Sequence, residues 1–240
     1  MGRMFEVRKS SMFARYDRMA KQFSRVGKEI TIAVKAGGPD PENNPTLRRA
    51  IQNGRSVNMP KDKIEQAIKN AMGKDTSDYE EVMFEGYAPH GVAMIVETAT
   101  DNNQRTVANV RAAFNKGNGS LGTSGSVSFQ FTKYAVFNLN PEGIEEEELE
   151  LELIDFGLEE LGTGKDDNDE EVIIVRASFS EFGTMQSGLE EKGIDVKSSG
   201  SEWVPMNMVE LGESEAEEVL KLVAKMEEDD DVQRVFHNLA

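Results

Sequence analysis

The chain has 240 residues, no cysteine, 38% hydrophobic and 30% charged residues, and a net charge of −17. That length supports a substantial core and more than one compact unit, and the missing thiols exclude disulfides, thiolate nucleophiles and thiolate zinc sites together. No apolar run approaches the roughly 18 residues of a spanning helix, and the opening "MGRMFEVRKSSMF" lacks the apolar stretch of a secretory signal, so we expect a cytoplasmic protein with no membrane partner.

The charge is unevenly distributed. Residues 1–75 hold 16 Lys+Arg against 8 Asp+Glu, a net of +8, and the remainder holds 11 against 36, a net of −25. Such asymmetry points to a basic segment with its own polyanionic partner, carried by an acidic body that resists indiscriminate polyanion binding.

In chain order, the first 76 residues read as helical. From Ser11 to Ala36, Phe13, Tyr16, Ala20, Phe23, Gly27, Ile30 and Val34 recur three and four apart, which is one buried stripe of a helix. Arg15, Arg18, Lys21, Arg25 and Lys28 then project from the opposite face. "AGGPDPENNP" ends that helix, and Asn44 followed by Pro45 has the pattern of an N-cap with proline in the first turn. The second helix turns Leu47, Ala50, Ile51 and Val57 inward and leaves Arg48, Arg49 and Arg55 outside. Pro60 starts a third, with Ile64, Ala67, Ile68 and Ala71 as its apolar side and Lys61 and Lys63 in its first turn.

From about Ser77 strands alternate with helices. Two β-runs flank a turn at Ala88-Pro89-His90-Gly91, and a helix from about Gln104 to Lys116 buries Val107, Val110, Ala113 and Phe114. Next, "SVSFQFTKYAVFNLN" alternates as a strand, with Val127, Phe129 and Phe131 on one face. A similar unit spans about Tyr134 to Val204: an acidic helix from about Glu145 to Leu161 (apolar side Leu149, Ile154, Leu158 and Leu161), strand "EVIIVRAS", helix "EFGTMQSGLEEKG" and strand "IDVKSSGSEWVP". "MNMVEL", an acidic helix from about Ser214 to Glu227 and the strand "DVQRVFHNL" complete the chain. The expected fold class is α+β: an N-terminal three-helix domain (1–76) and two ferredoxin-like α/β domains, a weak internal repeat, with residues 134–204 inserted into the domain made of 77–133 and 205–240.

Between Gly117 and Gly122 the chain reads "GNGSLG", which satisfies G-x-G-x-x-G. A dinucleotide loop must follow a strand and open a helix, whose N–H groups and dipole hold the pyrophosphate. Here the order is reversed, and no Lys-Ser or Lys-Thr pair follows to make a Walker loop. The glycines instead end a helix, where positive φ is often needed. The N–H groups and hydroxyls around Gly119, Ser120, Gly122, Thr123, Ser124 and Ser126 remain a candidate contact for a nucleic-acid backbone.

Other chemistry is sparse. His90 and His237, the only histidines, read as turn and surface residues, and no G-x-S-x-G elbow exists. The run Asp166–Glu171 lacks the glycine and distal glutamate of a calcium loop and reads as a solvated acidic loop. Trp203, Met206 and Met208 read as core. We expect no enzyme, no cofactor and no metal. The basic helices carry the functional expectation: Lys/Arg faces release counterions from phosphates and bind nucleic acid without any base-reading set being evident.

Three stretches carry a resemblance: "NMPKDKIEQAI" (58–68), "FEGYAPHGVAMIVETATDNNQRTVANVRAAF" (84–114) and "GSLGTSGSVSFQF" (119–131). Their combination of N-M-P-K-D, T-D-N-x-x-R-T and L-G-x-x-G-S-V resembles the YebC/PmpR family of probable transcriptional regulators, whose mitochondrial branch includes a translational activator of cytochrome c oxidase. The resemblance covers most of the chain and implies a three-domain, non-enzymatic protein. Its implied partner is DNA, for a cytoplasmic transcriptional regulator, or alternatively ribosomal RNA and the ribosome, for a translation factor. Two departures stand out. "MGRMFEVRKS" replaces the family's G-H-S-K-W-like start, and "KGNGS" (116–120) stands where K-x-G-G-x is usual.

Overall fold

The computed structural model describes residues 3–73, 78–166 and 168–240, with side chains described from Arg18 onward. The chain divides into two compact units, residues 1–77 and 78–240.

The first unit is α1 (Arg3–Gly37), α2 (Pro45–Ser56) and α3 (Lys61–Ala71). Its core gathers Ile30, Val34, Leu47, Ala50 and Ile64, which helical periodicity selects, together with Val26 and Ala33, which lie beside the expected α1 stripe, while Ala20 of that stripe is exposed. The first helix begins at Arg3, ahead of the expected Ser11, because no glycine or proline interrupts "RMFEVRKS". Asn44 caps α2: its Oδ1 accepts from Leu47 N–H at 3.0 Å. Its amide Nδ2 donates to the carbonyls of Ala33 (2.7 Å) and Gly38 (2.9 Å), so one buried side chain closes one helix and opens the next. At the other end of α2, Asn58 takes φ 59°, Met59 N–H donates to Gly54 C=O (2.8 Å) and Asn58 N–H to Arg55 C=O (2.9 Å). This is a Schellman cap with asparagine in the left-handed position. N-M-P-K-D is therefore a helix-to-helix joint: Met59 is buried, Pro60 precedes α3, and Asp62 lies at its positive end.

The second unit runs β1 (Glu80–Tyr87), β2 (Ala93–Thr100), α4 (Asn103–Lys116), β3 (Ser120–Leu121), β4 (Phe131–Leu139), α5 (Glu146–Leu153), β5 (Leu158–Lys165), β6 (Glu171–Ser178), α6 (Phe182–Glu191), β7 (Val196–Pro205), α7 (Glu213–Glu227) and β8 (Val232–His237). These strands make two antiparallel four-stranded sheets, ordered β3-β1-β2-β8 and β5-β6-β4-β7. The second sheet has the βαββαβ path and strand order of a ferredoxin-like unit. The first reaches an equivalent strand order by a different path, because its two central strands form a hairpin and its last helix and strand come from the chain's end.

Helices α4 and α7 bury Val110, Phe114, Val219 and Leu222 against Met94 and Val96 of the first sheet. Helices α5 and α6 bury Leu149, Leu153, Met185 and Leu189 against Phe137 and Val175 of the second. The other face of the first sheet, with Ala93 and Ile95, is covered by Val127, Phe131 and the half-buried Trp203.

Three sequence expectations give way. The acidic helix stops at Leu153 and, after a 3-10 turn, Gly157 at φ 87° leads into β5. A bulge between Leu158 and Glu160 puts Leu158 and Leu161 opposite the core residues Ala177 and Val175, so an i,i+3 spacing that reads as helical is buried by a strand. Ahead of β4, residues 128–130 form a 3-10 turn, which buries Val127 and Phe131 and leaves Phe129 67% exposed. Met206 and Met208 are exposed rather than core, because β7 ends at Pro205.

Candidate nucleic-acid interface

On α1, Arg18 is exposed and Lys21 and Arg25 are half-buried; at spacings of three and four they share one helical face. The side chain of Arg15 lies outside the described residues. Lys28 departs from expectation. It continues the stripe, but it is only 8% exposed and, like Lys21 and Arg49, engages a partner within the chain. At that exposure it is not part of an open basic surface. On α2, Arg55 is exposed, whereas Arg48 is half-buried and donates through Nη1 to the carbonyls of Pro41 (2.9 Å) and Glu42 (3.0 Å). Arg48 is thus a clamp on the α1–α2 loop. Lys61 and Lys63 stand in the exposed first turn of α3, Lys61 with only a loose i,i+4 contact to Glu65 (3.6 Å). Arg18, Arg25, Arg55 and Lys63 make no ion pair among the described residues.

The glycine loop is built differently from an anion cradle awaiting a ligand. Gly119 N–H donates to Phe114 C=O (2.8 Å), Gly122 N–H to Glu85 C=O (2.8 Å) and Ser126 N–H to Thr123 C=O (3.1 Å). Beyond them, a carboxylate from β1 fills the loop. Glu85, 2% exposed, accepts from the N–H groups of Gly125 (2.7 Å), Val127 (2.8 Å) and Ser128 (2.7 Å). Burial alone would raise the Glu85 pKa, but the N–H groups of Gly125, Val127 and Ser128 and the Ser128 hydroxyl together hold it below the ordinary glutamate range. The N–H groups of Gly119 and Gly122 are therefore spent inside the fold, and the exposed side chains of Ser120, Thr123 and Ser124 are what the loop offers outward. Positive φ belongs to Asn118 (φ 57°), the residue standing at a glycine of the usual K-x-G-G-x pattern. Asparagine tolerates this region better than any other side chain, so the departure keeps the turn. Gly119 is required by space instead: a Cβ there would lie 2.5 Å from the Tyr87 carbonyl oxygen.

T-D-N-x-x-R-T is also structural. Asn102 Oδ1 caps α4 through Arg105 N–H (3.1 Å), and Thr100 Oγ1 accepts from Asn102 N–H (2.9 Å). Asp231, 4% exposed at the entrance to β8, gathers Thr100 Oγ1 (3.1 Å), Thr106 Oγ1 (2.8 Å) and Arg105 Nη2 (2.6 Å). The hydrogen bond to Asp231, then that to Asp101, raises the Arg105 pKa.

Glu85 and Asp231 were not singled out by sequence reasoning. The one available signal for Glu85 was an acid inside the otherwise apolar "MFEGY"; for Asp231, within "EEDDD", there was none.

The remaining expectations sort simply. His90, at φ 62° in its turn, contacts Glu218 (3.0 Å) and Glu215 (3.7 Å) on α7. His237 is half-buried, and burial, partly opposed by Glu227, lowers its pKa. Asp166 is more than solvated: it accepts from Asn168 N–H, Glu170 N–H and Lys197 Nζ, organising the β5–β6 turn. Among the described residues, no group of His, Asp and Glu is placed to hold a metal ion, and no helix is long and apolar enough to cross a membrane.

Comparison with known proteins agrees with this architecture. Residues 3–74 match the TACO1/YebC protein N-terminal domain and residues 79–239 the TACO1/YebC second and third domain. A protein of Myxococcus xanthus named probable transcriptional regulatory protein is 58% identical over the whole of both chains. One of the same name from Flavobacterium johnsoniae is 52% identical over all of this chain and 99% of its own. The crystal structure of a conserved hypothetical protein from Aquifex aeolicus superposes with a TM-score of 0.78 at 39% identity, covering 92% of this chain and 90% of that one. With residues 3–74 and 79–239 matched, the chain belongs to the TACO1/YebC family.

Proposed function

We propose that this protein is a non-enzymatic, cytoplasmic regulator of gene expression that binds DNA through its helical unit. The observation that carries the reading is the charge of that unit: 16 Lys+Arg against 8 Asp+Glu in residues 1–75 of a chain whose net charge is −17. Arg18, Arg55, Lys61 and Lys63 are exposed on its helices, with the half-buried Lys21 and Arg25 on the Arg18 face. Relatives named probable transcriptional regulatory proteins support the same reading. Contacts of this type go to phosphates, so they supply affinity and register without reading bases.

Replacing Arg18, Arg25, Arg55 and Lys63 with Ala removes four phosphate contacts. Affinity for duplex DNA should fall at least tenfold at low salt, and the slope of log K against log salt should become shallower by roughly three to four. Unchanged affinity would remove the basic helices from the interface. Crosslinking in cells followed by sequencing identifies the polymer: promoter DNA supports the proposal, and ribosomal or transfer RNA without promoter DNA replaces it with a role in translation.

A further inference from the structure

Asparagine precedes glycine twice in the chain, at Asn53-Gly54 and Asn118-Gly119. At such a step the backbone nitrogen readily attacks the preceding side-chain amide, because glycine puts no Cβ beside that nitrogen. The fold treats the two steps differently. Asn53 is 9% exposed inside α2, its Nδ2 donates to Glu29 Oε2 (3.4 Å), and a Cβ on Gly54 would lie 3.1 Å from Val26. Asn118 is exposed just past the end of α4, and its side-chain amide makes no hydrogen bond among the described residues. The restraint there acts on the attacking atom: Gly119 N–H donates to Phe114 C=O (2.8 Å). Bringing the Gly119 nitrogen onto Asn118 Cγ breaks that bond, so the reaction needs local opening at the α4 C-terminus and not unfolding of the second unit. The asparagine that keeps the turn's positive φ (57°) thus brings an amide that a glycine would lack.

We propose that Asn118 is a site of spontaneous deamidation and that its isoaspartyl product undocks the glycine loop. The Gly119 nitrogen gives its proton to solvent base and bonds to Asn118 Cγ. The Cγ–Nδ2 bond breaks, the nitrogen takes a proton from water and leaves as ammonia, and a succinimide remains. One water then opens the ring at either carbonyl. Opening at Cγ gives aspartate; opening at the main-chain carbonyl gives isoaspartate, whose backbone runs through the former side chain and is longer by one methylene. Gly119 has no slack to absorb that insertion, since a Cβ there would lie 2.5 Å from the Tyr87 carbonyl oxygen and 3.1 Å from the Phe114 ring. Just beyond it, Ser120 and Leu121 pair with Tyr87 and Gly86, and Gly122 N–H donates to Glu85 C=O (2.8 Å). Displacing Gly119 therefore pulls β3 off the edge of β1.

Prolonged incubation of the full chain in mildly alkaline buffer tests this, read by peptide mapping that separates asparaginyl, aspartyl and isoaspartyl forms. In the folded chain Asn118 should convert roughly tenfold faster than Asn53, and in denaturant Asn118 should react faster still while the two rates converge. N118G, in which glycine adopts the same positive φ, should show no conversion at this step. Hydrogen exchange on the incubated chains should find the Gly119 and Gly122 amides unprotected in the isoaspartyl fraction and protected in N118G treated in parallel. Equal rates at Asn118 and Asn53 in the folded chain overturn the site. A rate at Asn118 that is the same folded and denatured overturns the gate made by Phe114. Isoaspartyl chains that keep Gly122 fully protected overturn the undocking.

Discussion

At the scale of single residues, Glu85 shows how a carboxylate serves as a permanent internal ligand. Its two oxygens take three backbone N–H groups of the segment 125–128, so the loop carries its own anion. Glu85→Gln keeps the shape but replaces one acceptor oxygen by a donor, leaving a buried N–H unmet. It should lower stability by about 1–3 kcal/mol in denaturant titration at neutral pH. The lowered pKa fixes the sign of the pH effect. The ionised carboxylate contributes fully above the unfolded glutamate value of about 4.3, and its contribution is lost as pH falls through the lower folded value. The gap between wild type and Glu85→Gln should therefore be widest at neutral pH and narrow in acid; a gap constant with pH would mean that charge plays no part.

Among secondary-structure elements, the sequence is legible wherever a local rule decides the outcome. Helical spacing locates Ile30, Val34, Leu47, Ala50 and Ile64 in the core of the first unit, and Asn44-Pro45 marks the start of α2, because capping and periodicity act over a few residues. It is illegible where a distant partner decides. The bulge in β5 is set by pairing with β6, and the turn at 128–130 is held by a carboxylate some forty residues earlier in the chain. The basic stripe was readable as charge, but the burial of Lys28 and the clamp made by Arg48 depend on tertiary neighbours. The start of α4 has the same long-range logic. Thr100, Thr106 and Arg105 converge on Asp231, so Asp231→Ala should cost about 1–3 kcal/mol, since two buried hydroxyls lose their acceptor while the exposed guanidinium keeps Asp101. Hydrogen exchange should show the loss concentrated in α4, β2 and β8. Protection lost evenly through both sheets would instead mean that the unit melts as one.

For the molecule as a whole, the charge division sets the behaviour. A basic helical unit with its own core is joined to a unit of opposite sign, and the net negative field opposes the approach of any polyanion. A fragment of residues 1–78 should therefore bind duplex DNA more tightly than the full chain at low salt, and the two affinities should converge as salt screens the acidic unit. Equal affinities in about 50 mM salt would show that the acidic unit exerts no field at the binding surface.

The path of the first sheet also orders the events of synthesis. As the chain grows from its N-terminus, β4 to β7 emerge with α5 and α6 between them, so every strand of the second sheet exists before α7 and β8 are made. The hairpin β1–β2, begun much earlier, must wait for the final residues to supply its flanking strand and the carboxylate that gathers Thr100, Arg105 and Thr106. A premature stop a few codons before Asp231 would spare the second sheet entirely while leaving β2 with a bare edge, a state open to pairing with other chains. Residues 231–240 thus supply the edge strand and the carboxylate on which the first sheet depends.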